Sequence, residues 1–234
     1  MINSKYFFKG FKSIKGVGSP AIALGASFIA IGALLKNLGF SIQESIFSTF
    51  LTYALPGSLV MAESMLIGAS LINIFIAVWL VNARLYPMTV ALMPLLMHEN
   101  QPRWKYYLSC HFIAVSSWLI MKDNYENVEK ENRIDFWIGI GTATWSVAIL
   151  ATVLGYIASD FLNKDMLIGL AIVNPIYFIC MMIGAMKTIQ ISVSIILGAI
   201  LGPAFYFLSP EWCILFGGFI AGTIAYLLGE KNGN

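Results

Sequence analysis
The apolar run from Met65 to Met97 is broken near its centre by Val-Asn82-Ala-Arg84-Leu-Tyr-Pro87. A bilayer core is crossed by about 20 helical residues, so the run is too long for one straight span. An arginine at membrane depth is costly unless it snorkels, pairs or meets water. Asn82 and Arg84 stand two positions apart and would point to roughly opposite sides of a continuous helix. Pro87 lacks an N–H and disturbs the turn before it. The economical solution is a broken or re-entrant helix whose polar groups line a cavity, as a solute pathway requires.

Composition sets this break in a membrane. The chain is 59% hydrophobic and 11% charged, with a mean hydropathy of +0.79, outside the range of soluble domains. A net charge of +2 without a concentrated basic surface argues against nucleic acid. Cys110, Cys180 and Cys213 lie far apart in apolar sequence and read as packing residues, neither a disulfide framework nor a metal cluster. Lys5, Lys9, Lys12 and Lys15 precede apolar sequence from Val17 to Phe40. A signal peptide has this form, but Ala23-Leu-Gly25 falls too early for its cleavage site, so an uncleaved first span with cytoplasmic lysines is expected.

The expected fold is an all-α, polytopic membrane helix bundle with about seven or eight elements, some broken. Residues 1–16 form a basic cytoplasmic segment, 17–229 a single transmembrane permease domain, and 230–234 a short polar tail. Further apolar segments fall at Ser45–Leu66, Ile67–Val81, Leu85–Met97, Tyr106–Met121, Phe136–Ala158, Met166–Met186, Thr188–Leu208 and Trp212–Gly229. With nine crossings the acidic loop from Lys122 to Asp135 lies outside and the Arg103 loop inside. Trp104, Tyr106, Tyr107, Phe136, Trp137 and Trp212 read as interfacial belts.

Other positions carry candidate chemistry. Pro56 and Gly57, followed by Ser58, interrupt the second segment. The freed backbone groups need partners, which neighbouring helices, water or a bound amino acid would supply. Glu63 lies on the same segment without a basic neighbour: a coupling candidate if buried, an ordinary carboxylate at the interface otherwise. His111, Ser116 and Ser117 are candidate cavity residues, although mid-membrane serines commonly bond back to their own helix. Asn174-Pro175 makes a later break, loosely matching Pro56-Gly57 as inverted repeats do. Gly198–Gly202 and Gly218–Gly222 are small-xxx-small patterns, suited to close packing within the chain or to a separate membrane subunit.

Ala54-Leu-Pro-Gly-Ser58, Asn82-Ala-Arg84-Leu-Tyr-Pro-Met88 and Leu92-Met-Pro94 together resemble the AzlC-type large subunit of branched-chain amino acid exporters. The resemblance implies a permease in the bacterial plasma membrane that works with a small AzlD-type membrane subunit. No cofactor or metal is expected. The resemblance also implies substrate contacts at Pro56, Gly57, Ser58, Asn82 and Arg84, to which the residue reading adds Ser116, Ser117 and Asn174. Ser58 stands where the family pattern implies glutamine, and Ser116-Ser117 where it implies an Asp-Glu pair.

The expected function is therefore secondary, proton-coupled export of branched-chain or related small amino acids through the bilayer. Self-association is left open. The sequence has no nucleotide-binding P-loop, which argues against built-in ATP hydrolysis. An intramembrane enzyme is the poorer reading, because no catalytic constellation is recognisable. A non-transporting assembly or anchoring subunit is the alternative, but it leaves the interrupted spans unexplained.

Overall fold
The computed structural model describes residues 2–15, 20–161, 188–208 and 213–231, with single positions between 163 and 186. Eleven α-helices and no strand occur among these residues. They fall into two compact units, Met1–Asn174 and Pro175–Asn234.

The first unit is built on α9 (Arg133–Ala158), whose 26 residues make a rod about 39 Å long. Its glycines let other helices approach backbone to backbone. A Cβ at Gly139 would run into the Phe7 carbonyl of α1 (Ser4–Lys12), and one at Gly10 into the Phe136 carbonyl. Gly32 of α2 (Pro20–Asn37) and Gly155 of α9 make the same approach to the Thr152 and Ile29 carbonyls. Gly25 faces Val147, so α2 runs parallel to α9 and reaches its far end, where Lys36 pairs with Asp160 at 2.8 Å.

The chain then turns through Gly39, at φ +85, a conformation that favours glycine. Ser41 and Glu44 form a reciprocal cap that starts α3 (Ile42–Thr52). Four contacts fix the direction of this segment along α9. The Tyr156 hydroxyl donates to the Phe40 carbonyl, and the Thr49 and Thr152 hydroxyls bond each other. The Trp145 indole donates to the Phe50 carbonyl, and the Tyr53 hydroxyl to Thr144. Such interhelical bonds contribute about 0.6–2 kcal/mol each where lipid supplies no hydrophobic drive. They carry α3 back from the far end of α9 to its midpoint.

Next come α4 (Leu55–Leu66) and α5 (Leu71–Asn82), joined by a tight turn at Gly68 (φ +69), with exposed Ile67 and Leu71 at its tip. Gly57 near the start of α4 meets Asn82 at the end of α5, so the two helices are antiparallel. α6 (Leu85–Leu96) continues α5 with a bend of 42°. It ends at the start of α9, where the Arg133 guanidinium donates to the Leu95 carbonyl. α5 and α6 therefore make one broken span from the far end to the near end. Because α4 runs opposite to α5, it returns toward the far end from which α3 came, and α3–α4 is a re-entrant hairpin.

A second hairpin enters from the near end. α7 (Arg103–Ser109), a 3₁₀ turn (Cys110–Phe112) and α8 (Val115–Asn124) lead in and back. The Gln101 amide donates to the Glu131 carbonyl, Lys105 pairs with Asp135, and the Lys9 ammonium donates to the Asn127 carbonyl. The N-terminal helix, the Arg103 loop and the Lys122–Asp135 segment thus share one end of the unit. This corrects the expected placement of the two loops on opposite sides.

The near-end core holds Leu92, Leu96, Tyr106, Met121, Phe136 and Trp137. Tyr106, Phe136 and Trp137 are core residues rather than interfacial belts, whereas Trp104 and Tyr107 are exposed. Trp212 lies outside the described residues. The second unit contains α10 (Ile189–Leu208) packed on α11 (Cys213–Lys231). A Cβ at Gly217 would come within 3.2 Å of the Gly202 backbone, while Gly198, Gly218 and Gly222 meet nothing within 4 Å. Close packing therefore uses Gly202 and Gly217, one register away from the second small-xxx-small pattern.

By length and composition, three helices suit a membrane crossing: α2, the α9 region and α10; the bent α5–α6 pair makes a fourth. The expected seven or eight membrane elements are not confirmed. The difference arises where Ser45–Leu66 and Tyr106–Met121 divide into short helices, and much of Met166–Met186 lies outside the described residues.

Candidate functional site
Three backbone interruptions meet beside the midpoint of α9. The first follows from Pro56, which has no N–H for the Thr52 carbonyl and ends the preceding helix. The break falls at Tyr53–Ala54, and Pro56 is the second residue of the new helix, a position that tolerates it. Tyr53 takes φ +29, a costly conformation for a bulky side chain. Its ring is buried, and its hydroxyl is 2.8 Å from Thr144 Oγ1, which holds this tip against α9.

The second interruption is the expected one at Asn82–Arg84. Pro87 cannot bond the Ala83 carbonyl, which accepts instead from the Tyr86 N–H at 3.0 Å. The shorter turn accompanies the 42° bend. Asn82 lies against the first break: a Cβ added to Gly57 would stand 2.6 Å from its side-chain nitrogen. Glycine therefore permits the contact between the two interruptions that the sequence singled out.

The third interruption, at Cys110–Ala114, contains no glycine or proline. Ser117 caps the outgoing helix: its hydroxyl accepts from the Ala114 N–H and lies 2.6 Å from the Phe112 carbonyl. Ser117 is thus a structural cap, and Ser116 is buried beside it. The exposed His111 ring at this tip is 6.3 Å from Tyr53 and 6.1 Å from Trp145 between centroids. Phe112 fills the space over Gly141. The tips of the two re-entrant hairpins consequently face each other across His111 and Tyr53.

Four buried polar atoms have no hydrogen-bond partner among the described residues: Ser27, Ser48 and Ser58 Oγ, and Asn82 Oδ1. They belong to α2, α3, α4 and α5, helices that pack on one another through α4 or α2. An unsatisfied buried polar group costs about 1–3 kcal/mol, so four of them call for a reason. Arg84, beside Asn82, is exposed and forms no ion pair among the described residues. Glu63 is also exposed, about 9 Å along α4 from Gly57, and the two charges do not pair. Asn174 lies outside the described residues.

A family model described as AzlC protein matches residues 20–162, more than half of the chain. The chain belongs to the AzlC family. No curated protein and no solved structure matches it. The AzlC match runs from the start of α2 to just beyond α9 and contains all three interruptions. Apolar helices and AzlC membership together describe an all-helical membrane protein with a transport-related role.

The structure thus sets Gly57, between Pro56 and Ser58, against Asn82; Arg84 follows two residues on at the same break, and Glu63 is exposed further along α4. Sequence reading of this AzlC chain missed Tyr53 as the strained tip and Ser27 and Ser48 as buried hydroxyls. It also missed the near-end network. There the Lys105 ammonium lies 2.7 Å from Asp135 and 2.8 Å from Gln101, and the Asn3 N–H donates to the other Asp135 oxygen.

Proposed function
We propose that this chain is the large subunit of a secondary transporter that exports branched-chain or related small amino acids, coupled to protons. The unpartnered Ser58 and Asn82 oxygens, where a broken span meets a re-entrant tip, carry the reading. An amino acid supplies what they lack: its ammonium donates to Asn82 Oδ1 and Ser58 Oγ. Its carboxylate is drawn to Arg84 and to the first-turn N–H groups of Leu55 and Gly57, at the positive end of α4. Pro56 contributes by starting that turn.

The same reading includes a small AzlD-type membrane partner, a bacterial plasma-membrane location and no enzymatic step. Lys5, Lys9, Lys12, Lys15, Arg103 and Lys130 gather at the α1 end of the unit, and Lys36 is at the other. The excess of basic residues supports a cytoplasmic α1 end. The test is efflux of preloaded leucine from cells making the chain with its small partner, against Arg84→Ala at equal abundance. Loss of efflux in the variant is expected. Unchanged efflux would leave Arg84 a structural anchor, and no wild-type efflux of any branched-chain amino acid would remove the substrate assignment.

A further inference from the structure
An open cavity of about 870 Å³ lies at the near end of the first unit, apart from the three interruptions. One wall is the His98–Arg103 loop, and the other is Lys130, which begins a 3₁₀ turn (Lys130–Asn132). The Gln101 side-chain amide ties the walls together by donating to the Glu131 carbonyl at 2.9 Å. The loop backbone is satisfied from within. The His98 N–H donates to the Tyr106 hydroxyl, the Asn100 N–H to His98 Nδ1, and the Gln101 N–H to the His98 carbonyl. Hydrogen bonds thus set the frame of the cavity.

The charged side chains that line it are uncommitted. Arg103, Lys130 and Glu99 enter no side-chain hydrogen bond or ion pair among the described residues. Charges nearby are used elsewhere. Lys105 and Asp135 hold each other, Arg133 reaches the Leu95 and Val128 carbonyls, and the Glu129 carboxylate accepts from Tyr6 and Asn132. Two cations against one carboxylate favour an anion, and a guanidinium matches the paired oxygens of a phosphate. The surroundings indicate where that anion comes from. Met97 of the lining is exposed, as are Trp104, Tyr107 and Leu108 of α7 beside it. Exposed Trp and Tyr next to cations mark the headgroup level of a bilayer, where basic pockets hold lipid headgroups.

We propose that this cavity binds a phosphate ester, the headgroup of an anionic glycerophospholipid. Arg103 and Lys130 hold the phosphate, Glu99 accepts from headgroup hydroxyls, and the acyl chains lie against the exposed apolar rim. The proposal does not depend on the transport reading.

The test is equilibrium binding of radiolabelled phosphatidylglycerol to the full chain in detergent. The competitors are unlabelled phosphatidylglycerol, phosphatidylcholine and soluble glycerol phosphate. Saturable binding is expected, displaced far more readily by phosphatidylglycerol than by phosphatidylcholine. Arg103→Gln combined with Lys130→Gln should weaken it about tenfold or more. Lys12→Gln combined with Lys15→Gln removes the same charge from exposed positions outside the cavity and should leave binding unchanged. Equal weakening by the two pairs overturns the proposal, as does equal displacement by phosphatidylcholine. Displacement by glycerol phosphate as readily as by the lipid overturns the lipid source and leaves a soluble phosphate ester as the ligand. If the cavity variant does not fold, tryptophan quenching by phosphatidylglycerol with brominated acyl chains decides. Quenching beyond that of brominated phosphatidylcholine, and lost in Trp104→Phe, supports the site; equal quenching by the two lipids overturns it.

Discussion
The near end of the first unit and the midpoint of α9 are both rich in polar groups, but they satisfy them differently. At the near end Lys105 and Asp135 are essentially without solvent exposure, yet each has several partners: the pair itself, the Gln101 amide oxygen and the Asn3 N–H. At the midpoint, Ser58 and Asn82 keep buried oxygens without partners among the described residues. A saturated network fixes one arrangement, here joining α1, α7 and α9. An unsaturated cluster leaves free energy available to whatever binds. The contrast separates a structural clamp from the proposed site, although sequence alone would rank a Lys–Asp pair as the more functional of the two.

The largest way to break this contrast is to remove one partner of the clamp. Asp135→Ala leaves the Lys105 ammonium buried and should cost about 3–5 kcal/mol of stability. Thermal unfolding in detergent should show it as a large fall in Tm, with efflux lost through depletion of folded protein. A Tm within a degree or two of wild type would show that the clamp is open to water.

Gly57→Ala acts at the other region with a different signature. The new methyl would lie 2.6 Å from the Asn82 amide, which must move away. The amide is the end of a flexible side chain, so the stability cost should stay within about 1 kcal/mol. Leucine efflux should nevertheless fall by about tenfold or more, since small displacements of positioning groups have large kinetic effects. Equal losses of stability and flux would make the contact merely structural.

Ser58→Ala sharpens the comparison further, because stability and function should move in opposite directions. Deleting an unpartnered buried hydroxyl removes a desolvation penalty, so Tm should hold or rise by the equivalent of about 1 kcal/mol. Efflux should fall, since the substrate loses an acceptor. A drop in Tm would mean that this hydroxyl has an unrecognised partner within the fold.

How much of this was legible depended on whether a break carries its own chemistry. Asn82, Arg84 and Pro87 are conspicuous in apolar sequence, and the interruption appears where they stand. Pro56 was equally visible, but its effect falls earlier, at Tyr53–Ala54, because a proline disturbs the turn before it. Cys110-His-Phe-Ile-Ala114 offers no breaker. Its signal was length alone, since Tyr106–Met121 is shorter than the roughly 20 residues a span requires. The Lys105–Asp135 pair and the shared end of the two loops were not legible, because counting charges loop by loop cannot see which loops touch. Asn82 against Gly57 was equally hidden, being a consequence of two helices of matching length folding back on each other.

The smallest effect should come from the far end, where Lys36 pairs with Asp160 at 2.8 Å but the side chains are 29% and 69% exposed. The geometry resembles the buried clamp, and the distances are nearly equal. Water changes the outcome: an exposed pair is screened and its net contribution is about 0–1 kcal/mol. Lys36 also lies over the Tyr156 ring, a contact of similarly modest value in solvent. Lys36→Ala should therefore shift Tm by little and leave leucine efflux at the wild-type rate, measured alongside Asp135→Ala in the same preparation. A loss rivalling that of Asp135→Ala would mean that this end is covered by a partner. Burial would then have to be judged on the complex, and the contrast between a saturated end and an open middle would need redrawing.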